Sequence, residues 1–351
     1  DLSAHVAYEA GRGVEEVARD LGLDPESLVK LSSNENAYGP APKAAEAIRE
    51  YAPNVHTYPK SSAADLREAL AERWAVTPSQ VWLANGGDGA LDYLARAMLD
   101  PGDGVLVSKP GFAYYAMSAR YHHGTVAEYP IRKSEDFEQT AEAVLQHYGG
   151  ERIVYLTSPH NPSGSEMSLS EVETLADATD EETLVVVDEA YGEFSDSPSA
   201  VALVEERDDV AVLRTFSKAY GLAGVRLGYA IVPGEWADAY ARVNTPFAAS
   251  EIACRAGLAA LDDPDHVEKT VEGARWARQY MYDELDCHTW ESSGNFVLCD
   301  VGDGSAVAEA AQREGVIVRD TTSFGLPECI RITCGTREET KRAVEVVNEL
   351  V

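Results

Sequence analysis

Short, unbroken apolar runs recur along the chain between residues 81 and 232, and stretches with helical spacing separate them. Continuous runs of this kind are typical of strands that are buried on both faces of a parallel sheet. Their alternation with helices is the βαβ rhythm of an α/β protein. The pattern therefore predicts a mostly parallel central sheet flanked by helices. The runs occupy residues 81–84, 104–107, 153–156, 184–187, 210–213 and 228–232.

The pattern changes after about residue 250, where a long helical stretch precedes three strand-like runs at residues 295–298, 316–318 and 330–332. The chain has 351 residues, more than the roughly 250–300 that one hydrophobic core usually serves. We therefore expect a large α/β domain over residues 31–248 and a smaller α+β domain over residues 249–351. Residues 1–30 are expected to form an N-terminal arm that packs on the smaller domain.

Acidic residues outnumber basic ones by 60 to 29, which gives a formal net charge of −31. A small soluble domain usually has a net charge of about 2–8 in magnitude, so this surface repels itself in dilute buffer. Salt near 1 M shortens the Debye length to about 3 Å and screens the repulsion. We therefore hypothesise a halophilic protein, which a salt titration of folding would test. The same surface repels nucleic-acid phosphates, so we expect no nucleic-acid partner.

The cysteines and histidines show no spacing that is typical of a metal site. The five cysteines include no Cys-x-x-Cys pair and have apolar neighbours, so we expect core thiols instead of disulfides or zinc ligands. No run of about 18 apolar residues is present, and the first residues lack the basic and then apolar stretch of a secretory signal. From these observations we expect no metal, no membrane contact and a cytoplasmic location.

One lysine stands among hydroxyls, glycines and an arginine in residues 214–229, directly after an apolar run. The amine of Lys218 can form a Schiff base with a carbonyl compound. Thr215, Ser217 and Arg226 supply the hydroxyl donors and the fixed charge that a phosphate group needs. In open α/β sheets, ligands bind at the carboxyl ends of strands, which is where this lysine falls. The segment therefore predicts a phosphate-bearing aldehyde, pyridoxal phosphate, as the cofactor.

Two other strand ends offer partners for such a cofactor. Asp188 ends one apolar run, where its carboxylate could hold a protonated pyridine nitrogen and let the ring withdraw electrons. A helix cap after a strand would explain this aspartate equally well. Tyr191, three residues on, could bond the phenolate oxygen O3′. Asn161 lies in an Asn-Pro turn, where the proline favours extended backbone and aims the amide at a ligand, as a second O3′ contact.

A glycine-rich turn at residues 85–89 links the first apolar run to a helical pattern. Glycines let backbone N–H groups come close to a phosphate at a helix N-terminus, which makes Gly87 and Asp88 candidates for the phosphate site. A plain strand-to-helix turn would explain the same residues. The assignment of Gly87 and Asp88 to a phosphate site therefore depends on the three segments that contain Lys218, Asp188 and Asn161.

The four segments together resemble the fold-type I pyridoxal-phosphate-dependent aminotransferases and, among them, the histidinol-phosphate aminotransferases. The resemblance spans nearly the whole chain and includes the motifs at residues 31–40, 58–59, 315–320 and 330–336. It implies a pyridoxal phosphate cofactor and a homodimer. The implied reaction is the transamination of L-histidinol phosphate with 2-oxoglutarate to imidazole-acetol phosphate and L-glutamate, in histidine biosynthesis.

The resemblance also implies a role for each candidate residue. Lys218 would be the Schiff-base lysine and the acid and base of the reaction, Asp188 would hold the pyridine nitrogen, and Asn161 with Tyr191 would hold O3′. Phe112 stands where the family usually has a tyrosine that stacks on the cofactor, so stacking is expected without the hydroxyl. The phosphate site would consist of Gly87, Asp88, Thr215, Ser217, Arg226 and, from the neighbouring subunit, Tyr58.

Four residues match substrate positions of the family. Arg331 corresponds to the arginine that binds a substrate carboxylate, and Arg319 joins it on the substrate phosphate. Tyr8 and Asn34 match further pocket positions. Two arginines suit a dianion. Two alternatives stay open: an aromatic amino-acid aminotransferase, which shares the cofactor residues, and a phosphothreonine-type decarboxylase, whose opening motif lacks the Asn-Glu-Asn of residues 34–36.

Overall fold

The computed structural model describes residues 7, 11, 13–59, 62–236 and 238–351. These residues form twelve strands: β1 (Val29–Leu31), β2 (Val81–Asn85), β3 (Gly104–Lys109), β4 (Thr125–Pro130), β5 (Ile153–Thr157), β6 (Leu184–Asp188), β7 (Val210–Thr215), β8 (Leu227–Ile231), β9 (His288–Thr289), β10 (Phe296–Asp300), β11 (Val316–Asp320) and β12 (Cys329–Thr333). Within the same ranges there are thirteen α-helices: α1 (Val14–Leu21), α2 (Pro42–Tyr51), α3 (Ser62–Trp74), α4 (Gly86–Met98), α5 (Tyr114–Tyr121), α6 (Ala141–Leu145), α7 (Leu169–Ala178), α8 (Val201–Val204), α9 (Tyr240–Val243), α10 (Glu251–Leu261), α11 (Pro264–Glu284), α12 (Gly304–Arg313) and α13 (Arg337–Asn348).

Seven strands form the larger sheet in the order β2-β8-β7-β6-β5-β3-β4. Strand β8 runs antiparallel to both of its neighbours, and the other pairs are parallel. Strands β5, β6 and β7 are buried along their whole length because their alternate side chains enter two hydrophobic clusters on opposite faces of the sheet. The predicted mostly parallel α/β sheet is therefore confirmed.

The parallel strands bring their carboxyl ends to one edge of this sheet. Thr157, the last residue of β5, pairs with Asp188, the last residue of β6, and Asp188 pairs with Leu213 in β7. The chain leaves β7 at Thr215 and reaches Lys218 one turn later. Candidate side chains that are far apart in the sequence thus meet at the edge where α/β proteins bind ligands.

Five strands form the smaller sheet in the order β1-β11-β12-β10-β9. Strand β1 is parallel to β11, and the remaining pairs are antiparallel. Arg319 in β11 and Arg331 in β12 are direct cross-strand partners. The smaller sheet therefore contributes two opposed arginines to the side that faces the larger sheet's carboxyl edge.

Helix α10 packs against α2 and α3 and buries its apolar side chains in a core of the larger sheet. Strand β1, which ends at Leu31, belongs to the smaller sheet instead. The domain limits at residues 30 and 248 stay predictions, since these two elements lie next to the limits and pack across them.

All five cysteines are free thiols. Cys254, Cys299, Cys329 and Cys334 are buried, as expected for core thiols, while Cys287 is partly exposed. Among the described residues, no helix combines the length and the apolar composition that crossing a bilayer requires. The same residues contain no group of three or more His, Cys, Asp or Glu side chains arranged to hold a metal ion.

Candidate active site

Two adjoining cavities open at the carboxyl edge of the larger sheet. The inner cavity has a volume of about 240 Å³ and lies at the ends of β5, β6 and β7. The outer cavity, of about 410 Å³, extends to the smaller sheet. Phe112, Asn161, Tyr191 and Lys218 line both cavities, so the two form one continuous site. A larger cleft of about 1280 Å³ between α2, α3 and α10 is lined by none of the predicted site residues.

Lys218 stands where the two cavities meet. Its Nζ lies 3.4 Å from the backbone oxygen of Ser33 and 5.6 Å from the centre of the Tyr191 ring. Both neighbours come from other parts of the chain, so the amine is held between the opening motif and the loop after β6. A ligand in either cavity can reach it.

Asp188 is buried at the end of β6, where it lines the inner cavity. Its Oδ1 accepts a hydrogen bond from the backbone N–H of Ala190 at 2.9 Å, and its Oδ2 accepts one from the Tyr115 hydroxyl at 2.5 Å. Burial raises the pKa of this carboxyl to about 6, although the Tyr115 hydrogen bond acts in the opposite direction. This carboxyl forms no ion pair within the described part of the chain, so a cation bound in the inner cavity would stabilise its ionised form.

Asn161 and Tyr191 line both cavities beside Asp188, and each is tied to a predicted substrate residue. The Oδ1 of Asn161 accepts a short hydrogen bond from the Arg331 guanidinium. The hydroxyl of Tyr191 accepts one from Nδ2 of Asn34 at 3.0 Å. The side chains expected to hold the cofactor are thus in direct contact with those expected to hold the substrate.

The predicted phosphate site lies at the N-terminus of α4. Gly87 and Asp88 occupy the first turn of this helix, where the backbone N–H groups have no partner within the helix. Arg226 places its Nη2 3.0 Å from Oδ2 of Asp88. The Thr215 hydroxyl lies 3.0 Å from the Ser217 hydroxyl and accepts a hydrogen bond from the Ser217 backbone N–H at 3.1 Å. These five residues all line the inner cavity, whereas Tyr58, the sixth residue predicted for the phosphate site, does not appear in its described lining.

Two glycines allow this site to be compact. A Cβ added at Gly228 would lie 2.5 Å from backbone atoms of both Gly86 and Gly87, and one added at Gly86 would lie 2.5 Å from Nη2 of Arg226. Gly86 also has a φ of 80°, which favours glycine. Strand β8 can approach the start of α4 only because Gly86 and Gly228 have no side chains. The backbone N–H groups of α4 and the guanidinium of Arg226 therefore lie close together at the predicted phosphate site.

Arg319 and Arg331 line the outer cavity from the smaller sheet. Arg331 is buried, and its Nη2 donates to the backbone oxygen of Ser32 at 2.8 Å. The Nη2 of Arg319 donates to the Ser323 hydroxyl at 3.2 Å. Like charges directly opposite each other on neighbouring strands are normally destabilising. Their placement beside one cavity therefore indicates an anion site.

The remaining predicted residues fall into three cases. Phe112 lines both cavities and packs edge to face on Tyr115, with ring centres 5.5 Å apart. Tyr58 is 75% exposed and packs on Phe247 with ring centres 4.9 Å apart. It is not among the described residues that line the two cavities. Tyr8 lies outside the residues that the structure describes.

Two residues that the sequence-based predictions do not include, Tyr115 and Thr157, also line the inner cavity. Thr157 ends an apolar strand as Asp188 does, and that position would have indicated it. Tyr115 has no comparable signal, because its contact with the carboxylate depends on how α5 packs against the ends of β5 and β6.

Comparisons with known proteins agree with this geometry. The model of the family Aminotransferase class I and II matches residues 26–347. A histidinol-phosphate aminotransferase from Natronomonas pharaonis is 79% identical over 351 residues, which cover 100% of this chain and 99% of the relative. One from Haloarcula marismortui is 69% identical and covers 100% of this chain and 98% of its own. The crystal structure of histidinol-phosphate aminotransferase from Sinorhizobium meliloti in complex with pyridoxal-5'-phosphate has a TM-score of 0.87 at 29% identity, and the match covers 98% of this chain and 96% of that one.

The chain therefore belongs to the class I and II aminotransferases and, within them, to the histidinol-phosphate aminotransferases. The resemblance noted from the sequence and the fold-type I architecture are confirmed. The two relatives come from halophilic archaea, as the hypothesis of a salt-adapted protein anticipated. The roles of the individual site residues stay predictions.

Proposed function

We propose that this chain uses pyridoxal phosphate to transfer the amino group of L-histidinol phosphate to 2-oxoglutarate, which gives imidazole-acetol phosphate and L-glutamate. One observation carries the proposal: the amine of Lys218 and the guanidinium groups of Arg319 and Arg331 line the same outer cavity. Two guanidinium groups suit a dianion such as a phosphate ester. The relatives are named for this activity.

The inner cavity fits pyridoxal phosphate. Asp188 is a buried carboxylate without an ion pair to any described cation, and a protonated pyridine nitrogen would supply a counter-charge. Gly228 lets strand β8 approach the start of α4, whose N–H groups lie beside Arg226 and suit a phosphate. When bound, the cofactor supplies an aldehyde that reacts with amines and a ring that accepts electrons from the substrate's α-carbon.

Lys218 moves the proton in the proposed reaction. With the cofactor bound, its Nζ would accept the proton that the α-carbon of histidinol phosphate loses and would return a proton to complete the transfer, in the reverse order when 2-oxoglutarate is aminated. The position of this residue between the two cavities serves both directions. Asp188 would hold the protonated pyridine nitrogen, and Asn161 with Tyr191 would hold O3′.

Arg319 and Arg331 bind the phosphate of histidinol phosphate in one half-reaction and a carboxylate of 2-oxoglutarate or glutamate in the other. Arg331 is fixed by the backbone oxygen of Ser32 and by Asn161, so it keeps its place with either anion. Arg319 is only partly buried and is bonded to the Ser323 hydroxyl. It can therefore adjust to the larger and more highly charged phosphate.

Tyr58 completes the phosphate site of a second copy in this proposal. Tyr58 is 75% exposed, and its ring packs at a tilt on that of Phe247, which is itself 61% exposed. Two large exposed aromatic side chains in contact form an apolar surface of the kind that protein interfaces cover. We therefore propose a homodimer in which each subunit contributes Tyr58 to the other's inner cavity.

A half-reaction assay tests this function. The purified protein, in molar salt with pyridoxal phosphate, is mixed separately with histidinol phosphate and with phenylalanine, and the absorbance of the bound cofactor is followed as the aminated form appears. Fast conversion by histidinol phosphate alone is expected. Preference for phenylalanine would contradict the assigned substrate and favour an aromatic aminotransferase. Lys218→Ala is the control and is expected to show no conversion with either amine.

A further inference from the structure

A buried tyrosine connects two parts of the inner cavity. The Tyr115 hydroxyl donates to Oδ2 of Asp188 at 2.5 Å and lies 2.8 Å from the Thr157 hydroxyl. A hydroxyl has one hydrogen to give. Because Tyr115 gives its hydrogen to the carboxylate, Thr157 is the donor in the second contact. The bonds thus run in one direction, from Thr157 through Tyr115 to Asp188.

The ring of Tyr115 is fixed as firmly as its hydroxyl. It is fully buried and stacks on Tyr155, with ring centres 4.8 Å apart and an interplanar angle of 7°. Its other neighbour is Phe112, which it meets edge to face at 5.5 Å. One side chain therefore contacts both the carboxylate that would hold the pyridine nitrogen and the ring that would cover the cofactor.

We propose that Tyr115 is a positioning residue for the cofactor: its hydroxyl holds the Asp188 carboxylate ionised and aimed into the inner cavity, and its ring sets the position of Phe112. This inference rests on the proposed cofactor role of Asp188. A hydrogen bond to a buried ionised carboxylate favours the charged form. Without it, a proton would replace the hydroxyl on Asp188, and the carboxyl would then lose its hold on the pyridine nitrogen.

Other groups around Asp188 make this hydrogen bond more important. The acids Asp88 and Glu189 raise the pKa of the Asp188 carboxyl, in addition to the dominant effect of burial. Lys218 and Arg226 line the same cavity, but each is already within bonding distance of another oxygen. The Tyr115 hydroxyl and the backbone N–H of Ala190 are the hydrogen-bond donors that lower this pKa.

The test compares cofactor binding across pH. Full-length wild-type protein and Tyr115→Phe are freed of cofactor and titrated with pyridoxal phosphate in molar salt from pH 5 to pH 9, and the dissociation constant is read from the absorbance of the bound cofactor. Affinity is expected to fall in acid once Asp188 is protonated. In Tyr115→Phe this loss should begin about one pH unit higher than in the wild type. Thr157→Val removes the hydroxyl that donates to Tyr115. It should shift the pH at which affinity is lost in the same direction, by a smaller amount.

Tyr155→Phe is the matched control. It removes a buried hydroxyl from the ring that stacks on Tyr115, and this hydroxyl has no hydrogen-bond partner among the described residues. Its binding profile should coincide with that of the wild type. Coincident profiles for Tyr115→Phe and the wild type would overturn the inference and leave the proposed function intact, whereas a wild type that binds no pyridoxal phosphate would overturn both. If Tyr115→Phe does not fold, the Thr157→Val profile decides alone.

Discussion

Arg319 and Arg331 are direct cross-strand partners in the antiparallel pair of β11 and β12, and both line the outer cavity. The backbone register fixes this relationship, so both side chains leave the smaller sheet at opposed positions. Like charges in this position normally destabilise a sheet. Two cations in such positions beside one cavity suit the anion-binding role proposed for Arg319 and Arg331.

Arg319→Gln is expected to weaken the binding of histidinol phosphate without a loss of folding stability. Loss of one charged hydrogen-bond donor should raise the KM for histidinol phosphate about 10- to 100-fold, or about 1.5–3 kcal/mol, with a smaller effect on kcat. The unfolding temperature should change little, because the Arg319 side chain is only partly buried. Arg313→Gln, at an exposed position on α12, is the control. Steady-state kinetics measure the KM of the two variants, and thermal unfolding measures their stability. An unchanged KM for Arg319→Gln would contradict the predicted anion site.

Much of this site could be predicted from the sequence because its residues follow local patterns. Asp188 and Lys218 follow continuous apolar runs, and such runs become buried parallel strands whose carboxyl ends share an edge. Gly87 precedes a helical pattern and occupies the first turn of α4. The strand bounds agree with the predicted runs to within about two residues for this reason.

Other features depend on tertiary contacts and could not be predicted in this way. Arg319 and Arg331 lie opposite each other because of the register between two strands, which the local sequence does not determine. The hydroxyl of Tyr115 bonds to Asp188 only because α5 packs at the ends of the strands. Strand β1 has three residues, too few for a periodic signal, and its place in the smaller sheet follows from its pairing with β11. The position of Asn34, which is hydrogen-bonded to both Thr333 and Tyr191, likewise has no signal in its local sequence.

Gly228→Ala is expected to weaken cofactor binding. The new Cβ would lie 2.5 Å from backbone atoms of Gly86 and Gly87, so β8 and the start of α4 must move apart. Overpacking of this kind costs about 1–3 kcal/mol, and the displaced phosphate site should lower the affinity for pyridoxal phosphate about tenfold. Gly224→Ala, where an added Cβ meets nothing within 4 Å, should leave the affinity unchanged. Equal dissociation constants for the two variants would refute the close-packing argument.

Asp188→Asn is expected to stabilise the cofactor-free protein in a pH-dependent way. Burial raises the pKa of the Asp188 carboxyl to about 6, above the value of about 3.9 in an unfolded chain. The wild type therefore loses stability as the pH rises from about 4 through 6, and the variant does not. Above pH 7 the variant should be more stable by up to about 3 kcal/mol, with little difference at pH 4.

Urea unfolding of the two cofactor-free proteins in molar salt, from pH 4 to pH 8, measures this difference. Asp196→Asn is the control, because its exposed carboxylate changes the net charge equally without a burial cost. A stability difference for Asp188→Asn that is the same at every pH would mean that burial of this carboxyl is not its cause. Once pyridoxal phosphate is added, the order should reverse, since the wild type alone offers a charge to the pyridine nitrogen.

The titration of His160 is expected to change the free energy of unfolding in the opposite direction to that of Asp188, so that its contribution rises with pH. Its Nε2 donates to the backbone oxygen of Pro110 at 3.0 Å, its Nδ1 accepts from the Ser163 hydroxyl at 2.7 Å, and burial lowers its pKa to about 4. This value lies below the value of about 6.5 in an unfolded chain, so its contribution is complete above pH 6.5 and is lost as the pH falls towards 4, by up to about 3 kcal/mol.

The effect of His160 overlaps the Asp188 titration and partly cancels it in the wild type. His160→Asn is therefore best measured in the Asp188→Asn background, where the acid sensitivity of unfolding in urea should become smaller. His123→Asn, at an exposed position, serves as the comparison in the same background. Retention of the full acid sensitivity in the His160 variant would assign that sensitivity to other groups.

The transfer of nitrogen itself tests the central claim most directly. Wild-type protein and Lys218→Ala, each with pyridoxal phosphate in molar salt, are incubated with L-glutamate labelled with ¹⁵N at the amino group and with imidazole-acetol phosphate, and the products are analysed by mass spectrometry. The proposed function predicts ¹⁵N-labelled histidinol phosphate and unlabelled 2-oxoglutarate in equal amounts from the wild type, and neither from Lys218→Ala. Absence of the label from histidinol phosphate with the wild type, or label transfer by Lys218→Ala, would contradict it.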